Sequence, residues 1–160
     1  MVRTEISLFL KNVPGELGRL SSLLSDAGIN IDAITIQDAS AYVQTLFQAR
    51  GKSLKRIASS ASYNSMRKDS SEFALIRILT DKTEEALALL EKHDYLFDTV
   101  PVIAVKLENR PGELAKITNR FGEAGININY VYGSVSSPDE KCLFVFCPED
   151  IQLATKIFAE

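Results

Sequence analysis

Four asparagines fall in two matched pairs. Asn12 opens the stretch Asn12-Val13-Pro14-Gly15-Glu16-Leu17, and Asn30 lies in Ala27-Gly28-Ile29-Asn30-Ile31. Ninety-seven positions later the same places read Asn109-Arg110-Pro111-Gly112-Glu113-Leu114 and Ala124-Gly125-Ile126-Asn127-Ile128. A primary amide both donates and accepts hydrogen bonds, so a pair of asparagines suits a ligand that carries an ammonium and a carboxylate together. The proline-glycine step between them reads as a helix start, with the proline at the first helical position, where its missing N–H costs nothing. A helix N-terminus exposes free N–H groups and roughly half a positive charge, which is a seat for a carboxylate. Gly15 and Gly112 have no side chain, so a ligand can come close to the backbone there. The candidate binding residues are therefore Asn12, Val13, Gly15, Leu17 and Asn30 in one copy, and Asn109, Arg110, Gly112, Leu114 and Asn127 in the other. Glu16 and Glu113 are read as complementing the helix dipole.

The elements that must position these residues repeat as well. Between Ile6 and Asp32, 12 of 27 positions are identical at the 97-residue offset, and a period of that size means two domains rather than a solenoid. Ile6 to Leu10 is a strand-length apolar run. Leu17, Leu20, Leu24 and Ala27 then follow at helical spacing, with Leu114, Ile117, Phe121 and Ala124 as their counterparts. Gly28 and Gly125 supply the left-handed conformation that ends each helix. A second strand begins at Ile29, Ile31, Ile34 and Ile36, matched by Ile126, Ile128, Tyr130 and Tyr132. Phe73 to Leu79 is a further strand. A second helix comes after it, with Thr83 as its N-cap and Ala86, Leu87 and Leu90 on its apolar face. Asp98 to Leu107 reads as extended and must finish the first repeat and begin the second. Leu143 to Phe146 and Ile151 to Phe158 supply a strand and a helix to the second.

Each unit thus reads strand, helix, strand, strand, helix, strand: an α+β class, ferredoxin-like βαββαβ arrangement with antiparallel sheets and helices on one face. The expected division is a first unit over 1–100, carrying an insertion at about 41–71, and a second over 101–160. The second is short at its C-terminal end and lacks its last strand. That leaves a sheet edge, which we expect to be covered by another segment or by a second chain. The insertion holds six Lys or Arg against one acid, a net +5 in a chain whose total is −3. Val43, Phe47, Leu54, Ile57 and Ala61 fall at helical spacing within it.

Other chemistry is poorly supported. The single histidine, His93, falls near a helix end beside Glu91 and Asp94 and reads as a surface or dipole residue. Gly51-Lys52-Ser53 fails as a phosphate loop because Leu46 stands where the first glycine belongs. Cys142 and Cys147 are five apart in a strand and so point to opposite faces, which argues against a bridge or a shared metal. No catalytic residue, metal or cofactor is expected. No apolar run reaches the roughly 18 residues of a membrane span, Met1 to Glu5 does not read as the start of a signal peptide, and the expected location is cytoplasmic.

Strand, N-x-P-G-E-L, helix, A-G-I-N-I, strand, given twice, resembles the ACT domain family of small ferredoxin-like modules that bind amino acids and regulate metabolic enzymes. The resemblance covers all but 41–71 and is that of a stand-alone tandem ACT protein. It implies a non-catalytic regulatory protein sensing a free amino acid, a homodimer, and a metabolic enzyme as a possible partner. In serine-binding members, asparagines at the positions of Asn12 and Asn30 hold the effector and a histidine precedes the first by two residues. Here Leu10 and Leu107 stand at that place, a departure from the serine pattern. A regulatory subunit of an amino-acid biosynthetic enzyme, such as the small subunit of acetolactate synthase, is the alternative. A nucleic-acid role through the basic insertion is the least supported.

Overall fold

The computed structural model describes residues 1–38, 73–134, 137 and 140–159. The insertion at 41–71, with its helical spacing and its Gly51-Lys52-Ser53, lies outside the described residues. The elements run in the order β1 (Val2–Lys11), α1 (Glu16–Asp26), β2 (Ile31–Asp38), β3 (Phe73–Thr80), α2 (Thr83–Lys92), β4 (Phe97–Glu108), α3 (Glu113–Glu123), β5 (Ile128–Gly133), β6 (Lys141–Pro148) and α4 (Ile151–Ile157). They divide into two compact units, Ile6–Asp98 and Met1–Glu5 with Thr99–Glu160. We call these the first and second unit. β1 and β4 each contribute residues to both.

In the first unit the strands run β2-β3-β1, all antiparallel. Just before β4 begins, the Phe9 N–H donates to the Leu96 carbonyl at 3.3 Å. The register pairs Ile6 with Ile78, Leu8 with Ile76 and Leu10 with Ala74, so every second residue of β1 faces α1 and α2. Those residues join Leu20, Leu24, Ile29, Ala86 and Leu90 in one buried cluster. The predicted α1 stripe is thus half right. Leu20 and Leu24 are buried, but Leu17 is 37% exposed and Ala27 is exposed. Leu17 lies in the first turn, beyond the core. Ala27 is already the C-cap, and Ile29 takes the core place instead.

The second unit repeats this with β4-β6-β5, again antiparallel. Phe121 and Phe146 stack with ring centroids 5.5 Å apart, and Ile103, Ile126, Ala154 and Ile157 close the cluster. Leu114 and Ala124, like their counterparts, stay exposed. The outer side of β4 is taken by the N-terminal segment of the same chain: the Ala104 N–H donates to the Met1 carbonyl at 2.8 Å. The expected cover of the open edge is therefore another segment of this chain, Met1–Glu5, and the strand at Ile6–Leu10 is the inner part of a longer one. Cys142 and Cys147 are free, buried, and on opposite faces of β6.

Each α1-type helix ends in the same hydrogen-bonded closure. Gly28 N–H donates to Ser25 O and Ile29 N–H to Leu24 O, both at 2.9 Å; Gly125 donates to Gly122 O at 3.0 Å and Ile126 to Phe121 O at 2.9 Å. These are Schellman closures, with glycine at φ 67° and 68° and an apolar contact across the turn. α2 closes the same way, Tyr95 to Leu90 and Asp94 to Glu91, but Asp94 takes the left-handed place at φ 58°. Two local expectations shift by a residue or two. Thr83 is the first residue of α2, whose N-cap is Lys82. Pro14 precedes rather than begins α1.

These backbones and burials give two expected outcomes. Asp94→Gly should raise stability by about 1 kcal/mol, because a left-handed residue with a Cβ is strained by roughly that amount; urea denaturation measures it. Burial above all, then the hydrogen bonds to Glu5 and Cys147, pushes the Tyr130 phenol above its ordinary 10.0. The neutral phenol is thus favoured in the folded chain. That contribution is complete below pH 10 and is lost as pH rises beyond it. Tyr130→Phe should flatten the alkaline fall in a stability-against-pH series.

Candidate functional site

Asn12 and Asn109 stand where the strands lead into the two helices, and in each copy the chain then makes a type II turn. Glu16 N–H donates to Val13 O at 3.4 Å, with Pro14 and Gly15 at the central positions and Gly15 at φ 95°, ψ −18°. Glu113 N–H donates to Arg110 O at 3.3 Å, with Gly112 at φ 93°, ψ −15°. Proline pre-sets the first central residue and glycine alone meets the second without strain. The first intrahelical bonds run from Arg19 to Gly15 O and from Lys116 to Gly112 O, each 2.9 Å. That geometry leaves the N–H groups of Leu17 and Gly18, and of Leu114 and Ala115, directed out of the helix ends without intrahelical partners. Neither helix has a side-chain cap hydrogen bond. A Cβ built on Gly15 or Gly112 would meet nothing within 4 Å.

The flanking side chains differ between copies. Asn12 and Val13 are exposed. Asn109 is half-buried: its Nδ2 donates to the Ser137 carbonyl at 2.9 Å and its N–H to the Glu140 carbonyl at 3.1 Å. Arg110 is exposed where the first copy has Val13. Glu16 pairs with Arg19 at 3.0 Å and Glu113 with Lys116 at 2.5 Å, so each glutamate is engaged by a cation one turn on.

Asn30 and Asn127 stand at the opposite helix ends. α1 has 11 residues and is about 16 Å long at 1.5 Å per residue, so Asn12 and Asn30 of one unit do not converge on one small molecule. The Asn30 N–H donates to Asp81 Oδ1 at 2.8 Å and its Nδ2 to Asp32 Oδ1 at 3.1 Å. The Asp81 N–H returns a bond to Asn30 O at 3.1 Å, as the Glu149 N–H does to Asn127 O at 2.9 Å. Beside Asn30 lies an open groove of about 400 Å³ lined by Ser21, Ser25, Gly28, Ile29, Asn30 and Ile31. Sequence reading missed this groove and Asp81. Ser21 and Ser25 on one face of α1 were its only local trace, and Asp81 is 51 residues from Asn30. His93 is the exposed C-cap of α2. Among the described residues no group of three or more His, Cys, Asp or Glu is placed to hold a metal ion, and no helix is long and apolar enough to cross a membrane.

Because both turns depend on a left-handed glycine in open space, Gly15→Ala and Gly112→Ala should each cost about 1–2 kcal/mol through the backbone alone. Equilibrium urea unfolding of the two variants measures this, and wild-type stability in both would contradict the turn assignment.

The ACT domain family model matches residues 4–48 and 101–159. No curated protein matches the sequence. Among solved structures, protein BT0572 from Bacteroides thetaiotaomicron is similar over 99% of this chain and 88% of its own, with a TM-score of 0.72 and 20% identity. The regulatory subunits of aspartate kinase from Thermus flavus and Thermus thermophilus are similar over 99% of this chain and 94% and 96% of theirs. Their TM-scores are 0.54 and 0.55, with 17% and 15% identity. At these identities the likeness is one of fold. With the family model matching both copies of the repeat, the chain belongs to the ACT domain family.

Proposed function

We propose that this is a regulatory protein that binds a free amino acid at the uncapped N-termini of α1 and α3, without catalysis, as a homodimer. The observation that carries the reading is the repeated helix mouth: a type II turn, two outward N–H groups, open space over glycine, and an asparagine beside it. A carboxylate suits those donors. The ammonium requires acceptors, and the Asn30 end of α1, with Asp32 beside it, offers them. Since one helix separates the two ends by about 16 Å, a complete site takes the N-terminal end from one chain and the Asn30 end from another.

Exposed apolar residues support a second copy. Ile34 on the edge strand β2 and Val131 on the edge strand β5 are 43% and 42% exposed, and they stand at equivalent positions 97 apart. So do Leu17 and Leu114. By register, Ile34 and Val131 are directed to the helix-bearing face. One ACT unit is assigned to 1–100 and the other to 101–160, with Met1–Glu5 lent to the second. A metabolic enzyme is the natural recipient of the signal, as in the regulatory subunits of aspartate kinase that share the fold, and cytoplasm is the compartment in which such a sensor works.

The test is a melting screen of the full chain against the standard amino acids. At 100 times its dissociation constant an effector adds about 2.7 kcal/mol, or about 5–10 °C at 2–4 °C per kcal/mol. Asn12→Ala and Asn30→Ala should each abolish most of that shift, and Asn109→Ala and Asn127→Ala report on the other copy. No shift with any amino acid would overturn the reading. A shift that survives all four substitutions would move the site elsewhere.

A further inference from the structure

Glu5 is a carboxylate with 0% exposure. The Tyr130 hydroxyl donates to its Oε1 at 2.5 Å and the Tyr132 hydroxyl to its Oε2 at 2.7 Å. The two rings run alongside one another, centroids 6.5 Å apart and planes 18° from parallel. All three residues belong to the second unit. Glu5 arrives on the N-terminal strand, and both tyrosines ride on β5.

β5 needs such a grip. It has one neighbour, β6, and its six residues alternate between half-buried and exposed with none buried. Its pairing also slips between Ile128 and Tyr130, directly after Asn127. An edge strand with no buried side chain is weakly specified in register. The N-terminal segment has no such need, because it is the start of β1, whose register Ile6, Leu8 and Leu10 already set against β3; it offers β5 a fixed support. The duplicate lacks the device. At the 97-residue offset, Tyr130 and Tyr132 correspond to Ala33 and Thr35, and Glu5 corresponds to Val102. The cluster therefore occurs in the unit whose outer strand comes from the other end of the chain, and not in the unit whose strands are contiguous.

We propose that Glu5 is a positioning residue: through the Tyr130 and Tyr132 hydroxyls it fixes the register of β5 and holds the adjoining Asn127 in place. A one-residue slip of β5 would turn both tyrosines to the other face of the sheet and leave Glu5 buried without the two phenols. A buried carboxylate without partners is far more costly than a misplaced apolar side chain, so the cluster discriminates between registers as leucine would not. The grip on β5 stands on geometry alone; its consequence for Asn127 as an effector residue rests on the function proposed above.

Hydrogen exchange followed by NMR on the full chain tests this with Glu5→Leu and with the volume-preserving Tyr130→Phe/Tyr132→Phe double variant. Amides of β5 should exchange at least about tenfold faster, while Ile76 and Ile78 in β3 keep their protection. Glu5→Gln, which keeps one acceptor oxygen, should restore part of the difference. Unchanged β5 protection in the double variant would overturn the proposal, and so would acceleration spread evenly over both units. Where an amino acid binds, Glu5→Leu should weaken the Asn127-dependent site and spare the Asn30-dependent one. Altered exchange with unaltered binding would sink the Asn127 assignment and leave the Glu5 grip standing.

Discussion

A glycine held near φ +95° after a proline leaves the backbone one unstrained path, and the helix mouths depend on that path. The turn carries the chain from strand to helix in four residues and uses the N–H of the first helical residue on itself. It puts at the N-cap the one residue that has no side chain to fold back. A capping serine or aspartate takes a β-region backbone, which this left-handed turn excludes, so the donors stay open. Keeping the same uncapped mouth in both copies, while more than half of the surrounding positions have changed, makes sense if something other than the chain satisfies those donors.

The fold was legible because its signals are local. Leu20 and Leu24 at helical spacing, the β1 residues Ile6, Leu8 and Leu10 in alternation, and the glycines that close α1 and α3 each act over a few residues, and each stands where periodicity puts it. The stripe failed at Leu17 and Ala27 because spacing does not say where a helix overruns the sheet beneath it. The N-terminal strand was not legible for a different reason. Its partner on β4 lies about a hundred residues on, and nothing in Val2-Arg3-Thr4 marks it as the cover of a remote edge. The site was half legible. Asn12 and Asn30 are 18 positions apart in sequence and read as companions, yet the rigid helix between them turns that interval into distance.

The two copies have also diverged in charge. Arg110 stands at the second mouth where Val13 stands at the first, and Asp32 beside Asn30 is replaced by Asn129 beside Asn127. On the function proposed above, the second mouth has a cation where the carboxylate would sit, and the first copy has an anion where the ammonium would sit. The Asn109 amide is meanwhile tied to the Ser137 carbonyl, whereas Asn12 is exposed. The two places therefore differ both in charge and in the exposure of their asparagines.

Glu5 is the reverse case, a polar group kept where an apolar one would serve stability. Leucine at that position would shed the desolvation cost of a buried carboxylate, and replacement of buried ionic groups by apolar ones is often neutral or stabilising. At the 97-residue offset from Glu5 the chain has an apolar residue, Val102, which is fully buried. Met1–Glu5 runs directly into Ile6–Lys11 and keeps that strand's register, so the freedom left in the second unit is that of β5, which has one neighbour and no buried side chain. Two phenols that need one particular carboxylate remove that freedom. The polar cluster is thus accounted for by the weakly held edge at β5, not by the stability of the unit that contains it.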